Sequence, residues 1–448
     1  MKLVIINQHA STGGWRYLYM LVKNIKKIRK DFDITIISSL VQYQEDVEVF
    51  KDLDVKVKNF PELTAKNVNP ADGFKEKKLF HIRYFDKMYN KIRRHFYKKR
   101  RKKIKKESIE QYLQQFDCIF YNWPYDINFI KTNKPVFFIP HDFIFTHFFG
   151  FHSGNAYNRN WWIRQKKQIQ QFVDYGAKPI VSSQYIADEY NRVFPTSEKK
   201  PSVVYLSTFN EYEQLSKEEI NSVLNKYGIS NDYILYANNW ALHKNMQPVL
   251  GAYYQVKQKY PNIKLIVTGY GTKDMRCVCN TPYYFDHVED NEEFDSIGLG
   301  QLPDKEFSAI LQGAKMVINS SLCEAGSGSG VDAWNCKIPL VFSSIPPFLQ
   351  QLEVLGTKAK TFDPRNSDSI AQAILSVLDN PEEAKKDAEI SYEALSKYTW
   401  EDVARQYIEI FENNMPSKEY QELTKKYPAA SPDDLVCYAE MIKRGKND

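Results

Sequence analysis

Between Met316 and Pro347 the chain passes through an apolar run (Met316 to Ile318), a polar stop at Asn319-Ser320-Ser321, a loop of glycine and serine, a segment that reads as a helix from near Val331, and a second apolar run from Pro339 to Phe342. Strand, glycine-rich loop, helix and strand in that order make an α/β crossover. Ligands sit at such loops. Glycines let the backbone approach a bound group, and the N–H groups at a helix start, with the helix dipole behind them, favour a phosphate. Two carboxylates, Glu324 and Asp332, stand in this stretch with seven residues between them. A sugar needs acceptors for its hydroxyls and an adjacent diphosphate needs donors, and Glu324, Gly326, Ser327, Gly328 and Asp332 offer both. Ser329-Gly330-Val331-Asp332 fits equally well a helix start in which Asp332 only steadies the first turn.

A chain of 448 residues suits two domains, each large enough to bury a core, and 43% hydrophobic with 26% charged residues is ordinary for a globular protein. No segment reaches eighteen apolar residues, and the opening Met1 to Ile6 is too short for a signal peptide or a membrane span, so the expected location is the cytoplasm. The six cysteines show no paired framework, and Cys277-Val278-Cys279 lacks partners for zinc. The net charge of +6 is local: Lys87 to Lys106 holds twelve Lys and Arg and no acid, and without it the balance is negative. Phe85, Met88 or Tyr89, Ile92 and Phe96 recur at helical spacing beside Arg93, Arg94, Lys98, Lys99, Arg100 and Arg101. Such a helix fits an anionic membrane surface, which would place the protein on the inner face of the cell membrane. It fits also a solvated face over a core stripe, and least well nucleic acid, since no binding module surrounds it.

The first ~210 residues read as one α/β domain on their strand and helix pattern. Leu3 to Ile6 is a strand, followed by Gly13-Gly14-Trp15-Arg16 and an amphipathic helix through Lys30; Ile34 to Ser38 is the next strand. Asp31-Phe32-Asp33 reads as a turn. Cys118 to Tyr121 and Val136 to Ile139 look like buried parallel strands, the second delivering His141 at its carboxyl end, where ligands of open α/β sheets gather. Val203 to Ser207 reads as the last strand of this half. Tyr233 to Ala237 opens the second half before a loop from Asn238 to Asn245. Lys264 to Gly271 and Ile297 to Pro303 are further strands with turns, Asp304 to Ala314 is a helix, and Thr399 to Val403 caps a last long one.

Taken together, Glu324 with its seven-residue spacing to Asp332, the Pro339 strand, Gly13-Gly14, His141-Asp142 and Lys244 resemble the signature of the family 4 retaining glycosyltransferases of GT-B fold. The resemblance spans most of residues 1 to 414. It implies two Rossmann-like domains facing each other across a cleft: residues 1–207 for the acceptor, with a basic helical insert at about 75–110, and 208–398 for the nucleotide-sugar donor, with 399–448 as a cross-over helix and tail. Glu324 would contact donor-sugar hydroxyls, Asp332 the ribose, Lys244 the diphosphate, Gly13 and Gly14 the phosphates and acceptor, and His141 the reacting sugar. Trp15 would shape the acceptor site. Asn239 stands where the family carries an arginine, and Asp332 where it carries a glutamate. The implied activity is retaining transfer of a hexose from a UDP- or GDP-linked donor to a glycan or lipid-linked acceptor in surface polysaccharide or glycoconjugate synthesis. No metal and no resident cofactor are implied, the nucleotide-diphosphate sugar acting as co-substrate. A non-catalytic nucleotide-sugar-binding or partner subunit is the alternative reading.

Overall fold

The computed structural model describes residues 1–7, 12–38, 43–59, 91–92, 95, 109–125, 129–147, 159–208, 212–230, 232–239, 241–273 and 296–414. The basic residues Arg93, Arg94, Lys98, Lys99, Arg100 and Arg101 lie outside them, as does most of the Lys87 to Lys106 run. Among the described residues no helix is long and apolar enough to cross a membrane.

Two parallel sheets organise the chain. The first contains β1 (Lys2–Asn7), β2 (Asp33–Ser38), β3 (Lys56–Asn59), β4 (Cys118–Tyr121), β5 (Val136–Phe138), β6 (Lys178–Val181) and β7 (Ser202–Val203) in the order β3-β2-β1-β4-β5-β6-β7. The second contains β8 (Tyr233–Ala237), β9 (Lys264–Thr268), β10 (Ser296–Gly300), β11 (Met316–Asn319), β12 (Leu340–Ser343) and β13 (Lys360–Phe362) in the order β10-β9-β8-β11-β12-β13. Helices cover both faces of each sheet, so central strands must be apolar throughout. Residues 3–6, 118–121 and 316–318 are accordingly buried on every position. In both sheets the strand order reverses, between β1 and β4 and between β8 and β11. At such a switch point the two connections leave in opposite directions and open a crevice beyond the carboxyl ends of the strands.

Two expectations are corrected here. The strand read over Val203 to Ser207 stops at Val203. Beyond it the chain is held by the polypeptide returning from the second half: Tyr398 Oη donates to the Tyr205 carbonyl at 2.7 Å and Ser207 Oγ to the Tyr398 carbonyl at 2.6 Å. The helix read from near Val331 begins earlier, at Gly328. Serine and glycine are weak helix formers, so the first turn is silent in the sequence. Tertiary contacts form it instead: Ser327 caps it, accepting from the Gly330 N–H at 2.9 Å, and the Ser327 N–H donates to Gln351 Oε1 at 2.8 Å.

The last helix among the described residues, Trp400–Asn413, starts at a capping box in which Thr399 and Asp402 bond reciprocally. Its apolar face, Trp400, Val403, Tyr407 and Phe411, is buried with Leu3, Leu18, Phe120 and Phe137 of the first sheet and its helices. The C-terminal helix thus completes the N-terminal core. Asp31 and Asp33 occupy a turn and a strand start, paired with Arg29 and Lys56 at 2.8 Å each.

Candidate active site

The two switch points face one another, and between them lies a cavity of about 410 Å³. From the first sheet it is lined by Gly14, Trp123, His141 and Asp142, and from the second by Asn239, His243, Lys244 and Glu324 with the turn Gly326 to Gly328. A larger groove of about 980 Å³ lies between the Thr12–Ile28 and Asp304–Gln312 helices, and none of the candidate binding or catalytic residues lines it.

Lys244 and Glu324, eighty residues apart, form an ion pair in this cavity. The loops that carry them are tied together. The Lys244 carbonyl accepts from Tyr236 Oη at 2.6 Å and Ser320 Oγ at 2.9 Å, and the Leu322 N–H donates to the His243 carbonyl at 2.7 Å. Asn245 follows in the left-handed region with φ of 58°, a conformation asparagine tolerates, and its Nδ2 donates to the Ser320 and Pro364 carbonyls at 3.1 and 2.7 Å. Burial works to raise the Glu324 pKa, but the Lys244 ammonium and the Ser321 hydroxyl, donating at 2.8 Å, hold the carboxyl below its ordinary value. Glu324 is a fixed carboxylate beside a fixed cation.

On the opposite wall, His141 Nε2–H donates to the Asn122 carbonyl at 2.6 Å. A carbonyl can only accept, so the neutral ring carries its proton on Nε2 and presents Nδ1 as an acceptor. Burial lowers its pKa to about 4, against the pull of that hydrogen bond. Tyr17 meets the ring edge-on, with centroids 5.8 Å apart, and Trp123 lies at 4.9 Å with planes tilted by 33°. Asn122 itself belongs to a buried network at the β1/β4 switch, donating to Asn7 Oδ1 at 3.1 Å and the Gly14 carbonyl at 3.3 Å.

Gly13 and Gly14 lie in the first turn of the Thr12–Ile28 helix rather than in a loop, which corrects the sequence reading. Gly14 lines the cavity, so this helix directs its N-terminal end toward it. Trp15 is helical; its side chain lies outside the described residues. Asn239 lines the cavity and its Oδ1 accepts from the Ala241 N–H at 3.1 Å, an Asx turn that leaves Nδ2 as donor. Asp332 falls on the second turn of the Gly328–Asn335 helix, half-buried, and is not among the described residues that line this cavity.

Three further lining residues carry chemistry to which the sequence assigned no role. His243 is buried, and burial pushes its pKa down to about 4 although Glu324 opposes the shift. Asp142 is raised to about 6, first by burial and further by Glu324, against the Ile144 N–H. Trp123 follows β4 by two residues. The available signal was position alone: each stands within a few residues of the carboxyl end of a central strand.

Gly269 has φ of 128°, and a Cβ there would meet the Asn238 carbonyl oxygen at 2.6 Å. Gly269→Ala is therefore expected to lower stability by about 1–3 kcal/mol through backbone strain and to displace the Asn239 turn. Denaturant unfolding checks this.

Comparison with known proteins agrees with this fold. Residues 217–397 match the family model described as glycosyl transferases group 1. The chain is similar to the O-antigen chain mannosyltransferase B of Escherichia coli, 23% identical over 253 residues, a match covering 55% of this chain and 63% of that relative's length. Among solved structures it is similar to Anabaena Alr3699/HepE in complex with UDP and glucose (TM-score 0.62, 15% identity, 92% of this chain and 99% of that one). It also resembles an E. coli trehalose-6-phosphate protein bound with UDP-2-fluoro glucose (TM-score 0.61, 11% identity, 93% and 100%). The chain adopts the two-domain GT-B fold, and its second half, residues 217–397, is similar to the group 1 glycosyl transferases.

Proposed function

We propose that the chain is a retaining, metal-independent hexosyltransferase that takes a sugar from a UDP- or GDP-linked donor to a hydroxyl of a glycan or lipid-linked acceptor in surface polysaccharide or glycoconjugate synthesis. The observation that carries this is the Lys244–Glu324 pair at a glycine-serine helix start, facing His141 across one cavity. A mannosyltransferase relative and neighbours that hold UDP or a UDP-sugar analogue support it.

In this reading Lys244 and the N–H groups of the Gly328–Asn335 and Thr12–Ile28 helices face the leaving diphosphate, whose charge grows as the glycosidic bond breaks. Fixed donors aimed at developing charge are the strongest form of catalysis open to such a site. Glu324 accepts from sugar hydroxyls and stabilises the cationic ring, and Nδ1 of His141 accepts from another hydroxyl. A departing phosphate oxygen takes the proton of the acceptor hydroxyl. Glu324, already engaged by Lys244 and Ser321, acts electrostatically rather than as a nucleophile of the hydrolase kind.

Asn239, an uncharged donor where the resembled family has a guanidinium, favours one second reading, a nucleotide-sugar-binding subunit without transfer activity. Thermal shift against a panel of UDP- and GDP-sugars separates the two when followed by product analysis. A donor at one hundred times its dissociation constant adds about 2.7 kcal/mol of stability. Transfer is the expected result; binding with neither transfer nor donor hydrolysis leaves the subunit reading. Asn239→Arg should tighten donor binding by about tenfold, since a charged bidentate donor exceeds an amide by roughly 1–2 kcal/mol. Membrane attachment through Lys87 to Lys106 belongs to the same proposal. Equal sedimentation of wild type and a charge-neutralised variant with anionic liposomes would remove it.

A further inference from the structure

The wall of the cavity that faces the Lys244–Glu324 pair has a composition that bears on the acceptor. Among its described lining residues there is no lysine or arginine, and its one imidazole, His141, is neutral near pH 7. It does hold a carboxylate. Asp142 is fixed at three points: Oδ1 accepts from the Ile144 N–H at 3.1 Å, its carbonyl accepts from Tyr125 Oη at 2.8 Å, and its backbone continues from the strand end that carries His141. Oδ2 has no hydrogen-bond partner among the described residues. Beside it the Trp123 indole lines the same cavity, braced by His141 and, edge-on, by Tyr125 at 5.3 Å. An aromatic plane next to an acceptor-only carboxylate matches a pyranose, which has an apolar C–H face and a rim of hydroxyl donors. It mismatches a phosphate, which would bring further negative charge toward Asp142 and Glu324, and the described residues of that wall include no lysine or arginine to meet it.

We propose that Trp123 and Asp142 form the acceptor subsite and that it selects a neutral pyranose, whose C–H face lies on the indole while a hydroxyl donates to Asp142 Oδ2. This rests on the sugar-transfer reading and narrows it: the group receiving the sugar is the uncharged end of a glycan rather than a lipid phosphate or a sugar phosphate. A lipid attached elsewhere on the acceptor is compatible with this, since only the reacting end enters the subsite.

The test uses the full chain saturated with whichever of UDP or GDP raises its thermal midpoint. Methyl α-mannopyranoside and methyl α-glucopyranoside serve as neutral probes, their 6-phosphates as anionic sugars and farnesyl phosphate as a lipid phosphate, with binding read by saturation-transfer NMR. At least one neutral pyranoside is expected to bind about tenfold tighter than its 6-phosphate and to show saturation on ring protons. Trp123→Leu should weaken that binding by about tenfold, Trp123→Phe should keep most of it, and Asp142→Asn should weaken it while narrowing the gap to the phosphate. All three variants should keep the nucleotide-induced midpoint shift, which shows that they fold. Tighter binding of the 6-phosphates or of farnesyl phosphate overturns the proposal. So does pyranoside binding that neither Trp123→Leu nor Asp142→Asn alters, or absence of pyranoside binding in a protein that nucleotide stabilises. If neither nucleotide stabilises the wild type, the sugar-transfer reading fails first and the subsite falls with it.

Discussion

Lys244→Met is expected to lower sugar transfer by about a hundred- to a thousandfold, the loss associated with removing one preorganised donor from a developing oxyanion. Glu324→Gln should cost a comparable factor, because an amide neither stabilises the cationic ring nor accepts at both atoms. The two variants differ in stability. Lys244→Met strands a carboxylate in a part-buried site, where the Ser321 hydroxyl still donates to it, and should cost about 1–3 kcal/mol at pH 7. Glu324→Gln leaves a lysine that solvent in the cavity reaches more easily. The double variant Lys244→Met/Glu324→Gln should recover part of the stability and none of the rate.

The sign of the pH dependence follows from the same pair. In the wild type Glu324 is held below its ordinary pKa, so its contribution is present above the unfolded value and lost as pH falls through the folded one. In Lys244→Met, burial without the ammonium raises that pKa, and the folded state then gains relative stability on protonation. The stability gap between wild type and Lys244→Met should therefore narrow on acidification, as followed by urea unfolding across pH. Rates close to wild type in both single variants would remove the catalytic assignment. A gap that widens in acid would remove the account of the pair.

Phe411→Ala should destabilise the chain by about 3–5 kcal/mol, the range for deleting a fully buried aromatic from a packed core. Phe411 is fully buried, with its ring 5.0 Å from Phe137 and 5.7 Å from Phe120 between centroids, both on strands of the first sheet. It lies more than two hundred residues away from them in sequence, on the Trp400–Asn413 helix. If that helix were an appendage of the second half, the substitution would leave the first half intact. The expected result is the opposite: loss of protection from amide exchange in β1, β4 and β5, with the second sheet less affected. The measurement is hydrogen exchange alongside the denaturant midpoint, and protection lost only in β8 to β13 would contradict it.

Much of this architecture was legible because it is written locally. Runs such as 3–6, 118–121 and 233–237 are apolar at every position, which only strands covered on both faces tolerate, and their spacing by helices implies a parallel sheet. Residues just past the carboxyl ends of such strands are then ligand candidates whatever the ligand; the pattern puts Glu324, Lys244 and His141 at such places, and the resemblance to a known family, not the pattern, suggested their roles. β3 was not legible: its sequence, Lys56–Asn59, alternates exposed and half-buried positions at a sheet edge and carries no apolar run.

Short-range periodicity and residue type set the α/β class, most of the strands and the loops on which the candidate chemistry sits. That Lys244 meets Glu324, that the helix begins at Gly328, and that Asp142 and Trp123 share a wall with a neutral His141 emerges only in the folded chain. These facts depend on burial and on contacts between segments tens to hundreds of residues apart. Desolvation and Coulomb interaction are properties of distance in space, and no local pattern along the chain encodes them.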